Sequence, residues 1–215
     1  MNHKIAKITR KKNGNYNIYL TDFEKPYFEL DKNVYYQYPF AQGDEIESEL
    51  INKIISENEK TLCLQKGLNF LSYAPKTKKE LQLKLKIAGF SKAASEYAVN
   101  KLSEMNLLND DDYAAQAAES YIKGRKMSKR NIVSKLMQKG IDKEKIEEIT
   151  KNCTDETEYE NALYYAQKKL NSLSSKSLDK YELKRKIYSA LNYRGFSYDA
   201  IKKAANEVLD GCSEE

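Results

Sequence analysis

Three copies of one short pattern decide the fold of this chain. They are Lys79-Glu-Leu-Gln-Leu-Lys-Leu-Lys-Ile-Ala-Gly89-Phe-Ser91, Arg130-Asn-Ile-Val-Ser-Lys-Leu-Met-Gln-Lys-Gly140-Ile-Asp142 and Arg185-Lys-Ile-Tyr-Ser-Ala-Leu-Asn-Tyr-Arg-Gly195-Phe-Ser197. In each copy apolar residues recur four positions apart, which predicts one buried face of an α-helix. A glycine and an apolar residue follow, and this pair predicts a helix that ends with a left-handed glycine in a Schellman motif.

Each copy is the centre of a predicted three-helix unit. The residues after the glycine pair are suited to cap a third helix; they are Ser91, Asp142 and Ser197. First helices are expected at about residues 64–73, 113–123 and 159–170. Three tandem units of this size are too small for large cores of their own, so we expect each to pack against its neighbour.

The middle helices are expected to begin at capping residues. Thr77 and Ser128 both lie 12 residues before their glycines, and Thr77 forms a capping box with Glu80. In the third copy that position is an apolar residue, so the helix is expected to begin earlier, near Ser177 or Asp179.

The first 40 residues differ from the rest of the chain. Asn13-Gly14 is a strong hairpin signal between strands expected at residues 4–12 and 15–20, and residues 26–30 can add a third strand. After residue 44 the apolar residues follow one face of a helix; they are Ile46, Leu50, Ile54 and Ile55.

These patterns predict a mainly α fold. It consists of three tandem three-helix repeats in an elongated, curved array, preceded by a small N-terminal antiparallel sheet. The expected divisions are 1–60, 61–109, 110–154 and 155–215. Only 8 Gly and 3 Pro occur, too few turn formers for an all-β sandwich or barrel.

Several functional classes are disfavoured by composition. Three widely spaced cysteines fit neither a disulfide framework nor a C-x-x-C metal site, and one histidine near the N-terminus argues against a histidine-based catalytic or metal site. No phosphate-binding glycine loop and no membrane-length apolar run occur. We therefore expect a cytoplasmic protein that is not an enzyme, has no cofactor and does not enter a membrane.

Basic charge is concentrated in the first two repeats. The chain has a formal charge of +5, but residues 61–110 and 111–154 carry +4 and +3, whereas residues 1–60 and 155–215 carry −1 each. Residues 120–140 hold seven Lys or Arg and no acid. Such clusters can bind a phosphate backbone or an acidic protein groove, or they can form an ordinary solvated helix face. Nearby tyrosines can stack on bases or pack between helices; they are Tyr73, Tyr97 and Tyr121.

The sequence resembles the RecX family of regulatory proteins. The resemblance lies in residues 68–90, in Leu107-Leu-Asn-Asp-Asp-Asp-Tyr-Ala114 followed by Lys139-Gly-Ile141, and in Arg194-Gly-Phe-Ser197. The order and spacing of these motifs extend over roughly residues 4–209. The resemblance implies a non-enzymatic modulator that binds the RecA filament on single-stranded DNA. It also implies inhibition of ATP hydrolysis, strand exchange and the coprotease function that triggers the SOS response.

The charge pattern and the resemblance together indicate electrostatic contacts with RecA or DNA. The candidate residues are Lys78, Lys79, Lys84, Lys86, Lys123, Arg125, Lys126, Lys129, Arg130, Lys135, Lys184, Arg185 and Arg194. Direct binding to single-stranded DNA is expected to be weak or indirect, and the protein is expected to be a monomer.

Two other functions are compatible with parts of the sequence. A helix-turn-helix transcription factor also has compact three-helix units and basic helices, and it would bind duplex DNA sequence-specifically. A nuclease could hold Mg²⁺ at the acidic run Asp110 to Asp112, although this run also suits the first turn of a helix.

Overall fold

The computed structural model describes residues 2–124, 126–174 and 178–210. The strands are β1 (Asn2–Arg10), β2 (Tyr16–Leu20), β3 (Phe28–Leu30) and β4 (Glu45–Glu47). The helices are α1 (Lys32–Gln37), α2 (Ser48–Tyr73), α3 (Lys78–Ile87), α4 (Lys92–Glu104), α5 (Asp110–Glu119), α6 (Lys129–Gln138), α7 (Lys143–Thr150), α8 (Asp155–Asn171), α9 (Lys180–Tyr193) and α10 (Tyr198–Asp210). A π-helical turn, Ser120–Gly124, follows α5. The predicted mainly α fold with a small N-terminal antiparallel sheet is confirmed.

The N-terminal strands form one antiparallel sheet in the order β3-β2-β1-β4. The predicted hairpin is present, with Gly14 at φ +91° in the turn. The sequence did not predict β4, where Ile46 pairs with His3 of β1. The assignment of Ile46 to a helix was therefore wrong, because a strand of three residues is too short to show an alternating pattern.

Helix α2 joins the sheet to the first three-helix domain. Its buried residues Ile51 and Ile54 pack in the same apolar cluster as the sheet. Farther along, the Asn58 side chain accepts a 2.7 Å hydrogen bond from the Asp31 amide and donates a 2.9 Å bond to the Glu29 carbonyl. The helix continues without a break across residues 60 and 61, so the sheet and the first domain share one structural element.

The three predicted helix ends are Schellman motifs. Gly89, Gly140 and Gly195 have φ of +93°, +86° and +74°. In each motif the amide after the glycine donates to the carbonyl five residues earlier, at 3.1–3.3 Å; the pairs are Phe90 with Leu85, Ile141 with Leu136 and Phe196 with Leu191. The glycine amide donates to the carbonyl three residues earlier, which satisfies a second terminal acceptor.

The predicted helix starts are also found. Thr77 and Glu80 form the complete capping box, and the Ser128 hydroxyl accepts from the Asn131 amide. Helix α9 begins at Lys180 with Asp179 as its cap, one of the two alternatives offered by the sequence. The other alternative, Ser177, lies outside the described residues.

Each domain has its own apolar core. The chain divides into two compact units, Met1–Asn109 and Asp110–Glu215. The second unit contains α5 to α10. Within it, one core includes Ile132 and Leu136 of α6 and another includes Ile187 and Leu191 of α9. These are the apolar positions whose spacing predicted the helices.

Candidate functional site

The predicted basic residues of the first domain lie on α3. Its lysines Lys78, Lys79, Lys84 and Lys86 are all exposed. Leu83 and Ile87 follow Lys79 at intervals of four, so they lie along the same side of the helix. Both apolar side chains are exposed, by 57% and 77%. Helix α3 therefore presents a mixed basic and apolar face, whose apolar part the sequence analysis did not identify.

A lysine lies over an aromatic ring at equivalent positions of the first two domains. Lys84 Nζ is 5.6 Å from the centre of the Phe70 ring, and Lys135 Nζ is 5.7 Å from the centre of the Tyr121 ring. Each lysine is five residues before the Schellman glycine of its domain. Tyr121 is only 8% exposed, so of the two uses that the sequence allowed, packing between helices is the one found. The Tyr121 ring packs in the core and supports Lys135.

The first turn of α6 carries two cations, Lys129 and Arg130, and no acid. By contrast, the first turns of α5 and α8 each carry three acidic residues. The amino end of a helix has a partial positive charge, so cations there are unfavourable by about 0.3–1 kcal/mol each. The charge of Lys129 acts on the nearby Glu158 carboxyl, whose pKa it lowers. Helix stability does not account for Arg130, whereas an anionic partner would.

Lys126 has a backbone conformation that is unusual for a lysine. Its φ is +48°, in the left-handed region, which costs about 1–2 kcal/mol for a residue with a Cβ. The buried Asn161 of α8 donates to the carbonyls of Ile122 and Met127, at 3.3 and 3.4 Å, and so holds the segment on both sides of Lys126. The Lys126 ammonium lies 5.1 Å from the centre of the Tyr164 ring.

The second and third domains meet where α9 ends and α6 begins. The Arg194 carbonyl accepts a 2.6 Å hydrogen bond from the Ser128 hydroxyl and a 2.8 Å bond from the Asn131 side-chain amide. The Arg194 guanidinium lies 4.4 Å from the centre of the Tyr165 ring. We call Lys126, Lys129, Arg130 and Arg194 the α6–α9 corner. The fold thus joins the start of α6 to the end of α9, which the sequence assigned to two separate repeats.

The remaining predicted residues have different surroundings. Lys123 forms a 3.0 Å ion pair with Glu119, both side chains being largely exposed. Lys184 donates to the Asn206 side chain at 3.0 Å, which directs it towards α10. Arg185 is exposed on α9, and Arg125 lies outside the described residues.

The acidic run Asp110 to Asp112 forms the first turn of α5. Asp111 and Asp112 add to the effect of Glu148, which is the main cause of the raised pKa of Lys145. Among the residues that the structure describes, no group of three or more His, Cys, Asp or Glu side chains is arranged to hold a metal ion.

Two cysteines fall within the described ranges, and both are unpaired thiols. Burial raises the pKa of the Cys63 thiol to about 11, so it is a poor nucleophile at neutral pH. None of the described helices has the length and apolarity needed to cross a membrane.

The fold defines a class of proteins built from tandem three-helix domains behind a small sheet. Models of the first, second and third three-helix domains of RecX match residues 63–102, 109–149 and 156–205. The chain belongs to the RecX family, which is a regulatory family and not a known enzyme family.

Relatives and solved structures match nearly the whole chain. Regulatory protein RecX of Clostridioides difficile (strain 630) is 32% identical over 208 residues, 96% of each chain. Regulatory protein RecX of Clostridium perfringens (strain 13 / Type A) is 34% identical over 211 residues, 96% of this chain and 97% of the relative. A crystal structure of regulatory protein RecX has a TM-score of 0.70 and 26% identity, covering 95% of this chain and 99% of the other. RecX from Lactobacillus salivarius has a TM-score of 0.60 and 28% identity, covering 72% and 98%.

Proposed function

We propose that this protein binds the RecA filament on single-stranded DNA and restrains it. Binding inhibits ATP hydrolysis, strand exchange and the coprotease function that triggers the SOS response. The protein acts without catalysis and without a cofactor, as a monomer, by favouring an inactive or disassembling state of the filament. Membership of the RecX family supports this proposal.

The observation that carries the proposal is the α6–α9 corner. Lys129 and Arg130 lie in the first turn of α6 against the helix dipole. Lys126 has a left-handed backbone, a second feature that opposes local stability. Local costs in stability of this kind are typical of sites where the residue type is set by binding and not by folding. Anionic groups of the filament, from its phosphates or its acidic side chains, would offset both costs.

The α3 face suggests a complementary contact in the first domain. Exposed apolar residues between lysines suit a protein surface better than a phosphate backbone, because phosphates gain nothing from apolar neighbours. We therefore assign Leu83 and Ile87, with Lys79 and Lys86, to contacts with RecA itself. The remaining predicted cations contribute weaker, salt-dependent attraction.

An ATPase titration of the cognate RecA on single-stranded DNA tests the proposal. Addition of this protein should reduce the rate of ATP hydrolysis. The variant Lys126→Glu/Lys129→Glu/Arg130→Glu should lose inhibition while its circular dichroism stays helical. The matched control Lys143→Glu/Lys151→Glu/Lys202→Glu changes the charge equally at exposed lysines outside the corner, and it should still inhibit.

Two results would contradict the proposal. Full inhibition by the corner variant would show that these residues are not the contacts. Failure of the unaltered protein to inhibit, together with tight binding to one duplex sequence, would favour the transcription factor instead.

A further inference from the structure

A basic groove lies between α8 and α9 of the third domain. Two adjoining clefts form it, with volumes of about 200 and 490 Å³. Lys169, Ala190 and Arg194 line both clefts, while Lys168 lines the first and Lys186 the second. Among the residues that the structure describes, no carboxylate lines either cleft. The third repeat has a net charge of −1, so its overall charge does not reveal this groove.

A change at one repeat position explains why the groove is open. Ala190 is five residues before the Schellman glycine, the position of Lys84 and Lys135 in the other domains. There the lysine extends over an aromatic ring of the preceding helix. A methyl group cannot do so, and the space beside Ala190 is a cleft instead. Cations of the neighbouring helix surround this space.

The four cations of the groove have no acidic partner among the described residues. Within the described part of the chain, Lys168, Lys169, Lys186 and Arg194 form no ion pair with a carboxylate. Three of the four acids of α8 lie in its first turn and the fourth is Glu160, whereas Lys168 and Lys169 lie in its last turn. At about 1.5 Å per residue, Glu160 lies about 12 Å along the helix from Lys168, which is beyond the screening length of about 8 Å at physiological salt.

Aromatic residues accompany these cations. Tyr193, which lines the second cleft, is 88% exposed. Tyr165 lines the first cleft, and the Arg194 guanidinium lies over its ring. The Arg194 backbone is fixed by the two hydrogen bonds from α6. The groove therefore combines positioned cations with an aromatic face open to solvent.

We infer that the α8–α9 groove binds a short segment of single-stranded nucleic acid. The phosphates contact Lys168, Lys169, Lys186 and Arg194, and one base stacks on Tyr193. An acidic protein segment would use the cations but not the open tyrosine ring. This site goes beyond the proposed function, because it requires no recombinase and, apart from Arg194, uses residues outside the α6–α9 corner.

Fluorescence anisotropy with the full-length protein and no recombinase tests the inference. The probe is a labelled oligothymidylate of about 16 nucleotides, the upper end of ordinary single-strand sites. At about 0.1 M salt, each phosphate contact raises the affinity about fivefold over its value at about 1 M salt. The variant Lys169→Glu/Lys186→Glu loses two contacts, so it should bind about 25-fold more weakly at about 0.1 M salt. The slope of log affinity against log salt should decrease by about 1.4 for two lost contacts.

The control variant is Lys202→Glu/Lys203→Glu. It makes the same change in charge at exposed residues of α10 in the same domain. Its affinity and salt slope should stay near those of the unaltered protein. Equal losses in both variants would overturn the inference, because net charge and not the groove would then determine binding.

Base stacking is tested separately at Tyr193. Tyr193→Ala should weaken oligothymidylate binding roughly tenfold, whereas Tyr193→Phe should retain it. An abasic oligonucleotide of equal length should bind both variants equally. Equal affinity for polyglutamate, with no effect of Tyr193→Ala, would overturn the nucleic-acid assignment in favour of an acidic protein partner.

The outcome is separable from that of the proposed function. Absence of oligothymidylate binding at low salt would refute the groove site alone. The ATPase titration with RecA would still decide whether the protein restrains the filament.

Discussion

Replacement of two Schellman glycines by alanine should destabilise the protein by unequal amounts. Gly89 and Gly195 are equivalent in sequence and both have positive φ. A Cβ on Gly89 would meet nothing within 4 Å, whereas a Cβ on Gly195 would lie 3.1 Å from Asn131 Oδ1 and 3.2 Å from Ser128 Oγ. These two side chains are the donors to the Arg194 carbonyl.

The expected magnitudes follow from these contacts. Gly89→Ala should cost about 1–2 kcal/mol of unfolding free energy, the penalty of a left-handed alanine. Gly195→Ala incurs the same penalty and also displaces Ser128 and Asn131 by a few tenths of an ångström. Loss of one or both hydrogen bonds adds about 1 kcal/mol each. The total for Gly195→Ala is therefore about 2–4 kcal/mol.

Urea denaturation combined with hydrogen-exchange mass spectrometry measures the difference. Gly195→Ala should reduce protection of peptides from α9 and α6, whereas Gly89→Ala should affect α3. Because the Arg194 backbone shifts, Gly195→Ala should also weaken inhibition of RecA more than Gly89→Ala does. Equal losses of stability in the two variants would refute the role of the Ser128 and Asn131 hydrogen bonds in holding the end of α9 against α6.

Two further predictions concern single charged residues of the second compact unit. Arg130→Glu places an acid in the first turn of α6, so the free energy of unfolding, measured by thermal denaturation, should rise by about 0.3–1 kcal/mol. Inhibition of RecA should weaken at the same time. A loss of stability would argue against the dipole explanation. Burial raises the pKa of Glu158, more than its hydrogen bond from the Ser197 amide and the charge of Lys129 lower it. The native carboxyl therefore holds its proton at a higher pH than the unfolded carboxyl does. At neutral pH the ionised Glu158 destabilises the native state. This destabilisation disappears as the pH falls through the raised native pKa to the ordinary value of 4.5. Glu158→Gln retains an acceptor for the Ser197 amide. In urea titrations, the stability of this variant relative to the unaltered protein should be highest at neutral pH and should decrease towards pH 4.5. A difference that does not depend on pH would contradict burial as the cause of the raised pKa of Glu158.

The repeated elements were predictable because their signals are local. A glycine at a helix end, a capping residue at its start and apolar residues four apart each specify geometry within a few residues. Strand β4 has three residues, and its pairing partner is β1, more than 40 residues away along the chain. Nothing within so short a segment distinguishes it from the start of α2, so its position depends on tertiary contacts.

The candidate site was predictable only in part, for a different reason. Charge summed over a repeat located Lys129 and Arg130, because no acid lies near them in sequence. The same sum concealed Lys168 and Lys169, because acids earlier in the same helix offset their charge in the total for the third repeat. Sequence distance also separated Arg194 from Ser128, which the fold joins by a hydrogen bond.

The three domains share their buried positions and differ at exposed ones, and this difference can separate their roles. Two residues before the glycine stand Ile87, Gln138 and Tyr193, all on the surface. Ile87 suits an apolar contact with protein, and Tyr193 suits stacking on a base. Because these side chains contribute little to their cores, each can change without loss of the fold. A repeated helical scaffold can thus present different surfaces to protein and to nucleic acid, as contact with a nucleoprotein filament requires.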